Sequence, residues 1–192
     1  RLTCINLARN FGKEAALTAG IDAAHADLAV IMDVDLQDPP ELIADFLAKW
    51  REGYDVVYGI RSARGTDTWL KRVTSEQFYR VFNMISPVKI PPNVGDYRLM
   101  DARVLNALRA LPERNRFMKG LFAWVGYPAV GVEFARPERA AGSTKFRMRR
   151  LWNFALDGLF GFSTLPLKAW TYFGVVLALI AILYAAYIVS RT

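Results

Sequence analysis

From Trp170 to Val189 the chain carries no formal charge, and that run limits what the rest can be. At ~1.5 Å per residue a helix over it reaches roughly 30 Å, the thickness of a bilayer's hydrocarbon core. In lipid every backbone polar group must be satisfied inside the segment, so a helix is the form such a run takes. Trp170, Tyr172 and Tyr187 lie near its ends, where interfacial aromatics belong. A buried helix of a globular domain is the competing reading. Lys145, Arg147, Arg149, Arg150 and Lys168 precede the run and only Arg191 follows it. The positive-inside rule therefore places the preceding domain in the cytoplasm, at the inner or plasma membrane.

The stretch Leu151 to Leu165 reads as an interfacial helix. Arg149, Asn153 and Asp157 recur every fourth residue, while Leu151, Trp152, Leu156, Leu159, Phe160 and Phe162 cover most of the remaining surface. A basic, aromatic-rich helix beside a span fits the headgroup plane, although an ordinary core helix has the same pattern. Pro166 is expected to end it. The chain thus divides into a globular domain over 1–145, a juxtamembrane amphipathic segment over 146–167 and a transmembrane helix over 168–190. It opens at Arg1, without Met and in mid-pattern, which reads as an N-terminal truncation. It stops just past the span, which leaves room for further spans.

Composition closes several routes. The 192 residues carry a net charge of +7 and are 53% hydrophobic, and both excesses gather toward the C-terminus. The single Cys4 excludes an internal disulfide and a cysteine-rich metal site. The single His25 sits in an Ala-rich helical stretch, so a Cys–His catalytic pair is not expected. Basic residues clustered beside a span answer to anionic lipid headgroups better than to nucleic acid.

The chemistry concentrates between Leu28 and Glu41. Leu28 to Met32 is an apolar run that reads as a buried strand, and it ends in Asp33 and Asp35. Alternate residues of an extended backbone point the same way, so the two carboxylates can converge on one cation. Asp38, Pro39 and Glu41 then read as the N-cap, first position and capping-box partner of a helix. An acidic pair at the carboxyl end of a strand is where open α/β sheets place ligands. Asp33, Asp35 and Gln37 make a hard oxygen set suited to Mg²⁺ or Mn²⁺, with water and substrate phosphates completing the shell. An acidic turn that only caps a helix is the plainer alternative.

Elements alternate along the chain. Strands are predicted over Leu2–Leu7, Leu28–Asp33, Tyr54–Ile60, Asp96–Met100 and Val130–Ala135. Helices are predicted over Lys13–Ala26, Glu41–Glu52, Thr68–Ile85, Ala102–Ala110 and Asn115–Trp124, with a Pro-rich loop over Ser86–Gly95. Alternation of this kind argues α/β, with an open, parallel-rich sheet.

Several stretches together resemble a known family: Arg9-Asn10-Phe11-Gly12-Lys13-Glu14-Ala15-Ala16, Met32 to Glu41, Gly95-Asp96-Tyr97-Arg98-Leu99-Met100, Arg116-Phe117, and Arg139 to Phe146. They are similar to the polyprenyl-phosphate glycosyltransferases of the GT-A fold, such as dolichyl-phosphate mannose synthase and the bactoprenol glucosyltransferases, and fall in the family's order. The resemblance implies a GT-A, Rossmann-like α/β sheet that is incomplete at the N-terminus, since the family's opening nucleotide-binding strand is missing. It also implies inverting transfer of a hexose from a nucleotide diphosphate sugar to a polyprenyl phosphate, undecaprenyl or dolichyl, at the bilayer. UDP-glucose and undecaprenyl phosphate are the preferred pair.

By the same resemblance, Asp35, assisted by Asp33 and Gln37, would hold the divalent metal, and Asp33 would face the ribose or a metal-bound water. Asp96 matches the proposed base. A phosphate monoester has a second pKa of about 6 and is largely dianionic at neutral pH, so Asp96 is better read as orienting the acceptor or taking a residual proton. Asn10 and Lys13 match the donor side, and Arg61 and Arg64 could serve the donor diphosphate. Arg98, Arg116, Arg139, Thr144 and Lys145 are the candidates for the acceptor phosphate. Phe146 replaces a tyrosine common in the family's Gly-x-Ser-Lys-Tyr stretch, and Thr144 replaces its serine. Two other readings stay open: a processive polysaccharide synthase, whose Gln-x-x-Arg-Trp motif is missing here, and an inactive membrane-bound nucleotide-sugar-binding fragment. Association into a homo-oligomer is compatible with all of them.

Overall fold

The computed structural model describes residues 2–35, 37–62, 69–113, 116–135, 156 and 158–191. The elements in chain order are α1 Lys13–Ala23, β1 Leu28–Ile31, α2 Leu42–Arg51, β2 Val56–Arg61, α3 Trp69–Ile85, β3 Val94–Asp101, α4 Ala102–Ala110, α5 Met118–Trp124, β4 Ala129–Phe134 and α6 Leu165–Arg191. The strands form one sheet in the order β1-β3-β2-β4. β3 runs antiparallel to both β1 and β2, and β2 is parallel to β4.

This corrects the expected parallel-rich sheet. Apolar alternation marks a strand but not its direction. The expected strand over Leu2–Leu7 is also corrected: residues 2–7 form no strand and are mostly exposed, so no apolar face holds them to the sheet. At the start of α2, Asp38 does not cap. The helix begins at Leu42 without a side-chain cap, and Asp38, itself buried, accepts the backbone N–H of Asp33 at 3.1 Å. It braces the turn from below.

Alternation along the strands builds two cores. Val57, Tyr97, Leu99 and Phe134 meet Leu42 and Phe46 of α2 on one face. On the other, Val56 and Met100 meet Ile21 of α1, Val104, Leu105 and Leu108 of α4, and Met118, Leu121 and Phe122 of α5. Local chemistry sets the joints. Asp101 accepts the N–H of Arg103 at 2.9 Å, capping α4, while its other oxygen accepts Trp50 Nε1–H of α2 at 3.0 Å. The Arg109 guanidinium donates to Ile21 O and Ala24 O, closing the C-terminal end of α1.

A third cluster joins this unit to the chain's end. Phe82 of α3 and Phe117 pack with Phe162, at ring-centroid separations of 5.9, 6.1 and 6.1 Å. Residues 158–162 are helical, 163–164 break the path, and α6 follows. Pro166 therefore lies in the first turn of α6 rather than ending the preceding helix. A missing N–H costs nothing in a first turn. The Leu167–Arg191 portion of α6 has a mean hydropathy of 2.4 and none of it is buried. It is long and apolar enough to cross a membrane. Part of the expected interfacial helix, residues 151–155 and 157, lies outside the described residues.

Candidate active site

The β1/β3 ladder pairs Leu28 with Asp101 and Ile31 with Arg98. Carried two residues further, that register sets Asp33 opposite Asp96 on the face covered by α1. Two carboxylates so placed repel each other unless a cation separates them. Lys13, the first residue of α1, supplies it: its Nζ lies 2.6 Å from Asp96 Oδ2 and 3.0 Å from Asp33 Oδ2.

Local sequence explains how Lys13 arrives there. The Asn10 side chain accepts the Gly12 N–H at 3.0 Å, forming a tight turn. Gly12 has φ +95°, a conformation an L side chain resists, and it starts the helix. The next residue, Glu14, accepts the Met118 N–H at 3.0 Å and so fastens α1 to the start of α5. Burial pushes the Glu14 carboxyl up, and that hydrogen bond only partly offsets it.

Asp96 is mostly buried, its side chain 13% exposed. Burial alone would raise its pKa. The Lys13 ammonium, together with Lys119 and Arg98, outweighs burial and holds the carboxyl below the ordinary range. Burial likewise disfavours charge on Lys13, but Asp96 and Asp33 outweigh it and raise its pKa. Asp35 lies just beyond, on the turn, where its Oδ1 accepts the Gln37 N–H at 3.3 Å. The Tyr97 hydroxyl donates to Pro39 O at 2.6 Å and ties β3 to the same turn. Burial, with Asp38 and Glu41 nearby, pushes that phenol up to about 12.

Asp33, Lys13 and Asp96 are therefore brought together, with Asp35 and Gln37 on the adjoining turn. Asn10 shapes the approach through its own turn. Arg61 lies against Gly95, where an added Cβ would come within 2.7 Å of its guanidinium. Gly95 and Asp96 alternate in direction, so Arg61 is on the other side of β3 from Lys13, and its buried Nε has no hydrogen-bond partner among the described residues. Arg98 does share the Asp96 face, as spacing predicts, but it is no surface cation. Its Nε and one terminal nitrogen donate to Asp96 O and Gly95 O at 3.3 and 2.8 Å, and its guanidinium stacks 3.7 Å from the Phe122 ring centroid. Burial lowers its pKa to about 10, which leaves it charged at neutral pH. Arg116 turns to the Leu111 and Glu113 carbonyls and closes the end of α4. Arg64, Arg139, Thr144 and Lys145 lie outside the described residues.

Two contributors escaped the sequence reading. Lys119 donates to the Tyr79 hydroxyl at 3.0 Å and acts electrostatically on Asp96. Lys89, in the Pro-rich loop, joins it and Arg98 around a cavity of about 190 Å³ that Tyr58 and Phe122 also line. The charged residues lining this cavity are all cations. Their convergence depends on how α5 lies over β3, for which one sequence carries no local signal.

A sheet with an acidic turn at a strand end, an anionic residue opposite it and a cation-lined hollow alongside suits an enzyme that handles phosphorylated substrates. Comparison with known proteins makes the class explicit. The family model described as glycosyl transferase family 2 matches residues 1–109, and the chain belongs to that family. It is 54% identical over 192 residues to an uncharacterized glycosyltransferase of Synechocystis sp., covering 100% of this chain and 60% of that protein. It is 50% identical over 188 residues to the prophage bactoprenol glucosyl transferase homolog of Escherichia coli, covering 98% of this chain and 61% of that one. The bactoprenol glucosyl transferase of Shigella phage SfV matches to the same extent. The chain spans about three fifths of the length of these curated relatives.

Proposed function

We propose that the protein transfers a hexose, with glucose preferred, from a nucleotide diphosphate sugar to a polyprenyl phosphate at the cytoplasmic face of a membrane, inverting the anomeric centre. The observation that carries this reading is the convergence of Asp33 and Asp96 on Lys13, beside a hollow lined by Lys89, Arg98 and Lys119. The names of the bactoprenol relatives support the choice of sugar and acceptor.

In the reaction an acceptor phosphate oxygen bonds to the anomeric carbon while the bond from that carbon to the donor's diphosphate oxygen breaks. The nucleoside diphosphate leaves with the electron pair. Because the acceptor is already largely dianionic, no strong base is required. Asp96, kept ionised by its cationic neighbours, then borders the reacting centre and orients the acceptor on the side away from the leaving group. The cavity cations face that side and offset the acceptor's charge, as Lys and Arg do for phosphates.

Asp33, Asp35 and Gln37 are the residues that would hold a Mg²⁺ or Mn²⁺ ion, as hard oxygen donors whose shell water and donor oxygens would complete. Such an ion, when bound, neutralises charge on the leaving diphosphate. The exposed α6 supplies the anchor a soluble domain needs to meet an insoluble lipid.

The test supplies the full-length membrane protein with radiolabelled UDP-glucose, GDP-mannose and other donors plus undecaprenyl phosphate, and counts organic-extractable label. Lipid-linked glucose from UDP-glucose is expected. No extractable label from any donor overturns the reading.

A further inference from the structure

We infer that Lys13 is a resident counter-cation for the acidic site: it holds Asp33 and Asp96 together while the site lacks a divalent ion, and it must leave Asp33 for that ion to bind fully. The inference deepens the proposed reading and rests on its assignment of Asp33 and Asp35 to a metal.

The geometry leads there directly. One ammonium contacts one oxygen of each carboxylate, at 3.0 Å from Asp33 and 2.6 Å from Asp96. It therefore occupies the side of Asp33 that faces Asp96, between two groups that would otherwise repel. Its hold on the two is unequal. The Asp96 contact is shorter and that carboxylate is 13% exposed, whereas Asp33 is 38% exposed. Water weakens the exposed pair more, so Asp33 is the partner that gives way.

The base of Lys13 is fixed. Gly12 starts the helix at φ +95°, and Glu14 is bonded to the Met118 N–H at 3.0 Å. Only the flexible four-carbon stem is free to move, and the Lys13 side chain is 42% exposed, which leaves it room. Release from Asp33 leaves Lys13 on Asp96, a step from the donor's diphosphate. A donor arriving with its own negative charges attracts the ammonium just as the ion displaces it. Donor and ion are thereby made to bind more tightly together than apart, with no change in backbone. An ordinary surface lysine would show no such coupling.

The experiment titrates Mn²⁺ into the full-length protein, followed by the electron paramagnetic resonance of free Mn²⁺, with and without UDP. Lys13→Gln is expected to tighten Mn²⁺ binding without UDP by about tenfold or more, the scale for removing one charge beside a divalent ion in a half-exposed site. It is also expected to shrink the strengthening of Mn²⁺ binding that UDP produces. Lys13→Arg, which keeps the charge, is expected to restore both toward wild type. Asp35→Asn serves as the control on the metal assignment and is expected to weaken Mn²⁺ binding in every background. If Asp35→Asn leaves Mn²⁺ binding unchanged, the metal assignment fails. If Asp35→Asn weakens binding but Lys13→Gln leaves it unchanged or weakens it too, the counter-cation inference fails alone.

Discussion

The Glu14 carboxylate accepts the Met118 amide N–H at 3.0 Å across 104 residues of chain, joining the first turn of α1 to the start of α5. It ties together the two helices whose lysines, Lys13 and Lys119, both act electrostatically on Asp96. Burial raises the Glu14 pKa, so the folded protein binds this proton more readily than the unfolded chain. Stability from this group is therefore greatest at low pH and falls as pH rises through the window above the ordinary carboxylate range. Glu14→Gln keeps an acceptor for Met118 and removes the buried charge, so at pH 7 it is expected to match or exceed wild-type stability. Glu14→Ala loses the acceptor and is expected to cost about 1–2 kcal/mol. Thermal melts of both variants between pH 5 and 8 check the sign.

Asp35→Asn is expected to remove metal-stimulated transfer by about a hundredfold or more, since Lewis-acid neutralisation of a leaving group is worth several kcal/mol. Membrane attachment through α6 is expected to persist. Turnover counted as lipid-linked label, alongside membrane fractionation, separates the two, and undiminished turnover removes the metal role.

The acid limb of the pH profile is expected to follow the acceptor rather than Asp96. A carboxyl held below its ordinary range stays ionised until the pH falls below that range. The acceptor phosphate gains its proton near pH 6. The limb in kcat/KM is therefore expected at about pH 6 and in the same place for the residual activity of Asp96→Asn. Movement of the limb in that variant would assign the titration to Asp96.

Lys119→Met is expected to raise the KM for the polyprenyl phosphate by about tenfold or more, the value of one charge-assisted contact, and to leave the donor KM nearly unchanged. Steady-state kinetics with each substrate varied in turn tests this. An equal rise in both would place Lys119 in general electrostatics rather than at the acceptor.

Gly120 marks where α5 meets the segment leading to α6. An added Cβ would lie 2.5 Å from Phe162 and 2.9 Å from Phe117. Gly120→Ala is therefore expected to destabilise by about 1–3 kcal/mol through overpacking, and to speed proteolysis near residues 158–162. Melting and timed chymotrypsin digestion, which can cut after Phe160 and Phe162, report the two effects.

The sequence made local features legible where the physics is local. α4 appears over Ala102–Ala110 as expected, and α3 and β3 fall within two residues of their expected bounds. Asp33 and Asp96 could be named as site residues, but their meeting through Lys13 joins positions 83 residues apart. It depends on an antiparallel register that no local pattern encodes. The burial of Arg98 beneath Phe122 has no local signal, because Phe122 arrives from another helix. Arg116 is a phosphate candidate by motif, and the hydrogen bonds it makes to the Leu111 and Glu113 carbonyls depend on the path of the chain after α4, which the motif does not encode.

β3 lies inside the sheet, hydrogen-bonded along both edges to β1 and β2. Asp96 cannot drift relative to the acidic turn unless the β1–β3 ladder unzips, and its own strand is held from the other side as well. On the proposed reading, a change of sugar or lipid is thus left to the connecting loops and the helix over the cavity. The reacting centre itself stays put, a fixed anvil beneath interchangeable tools.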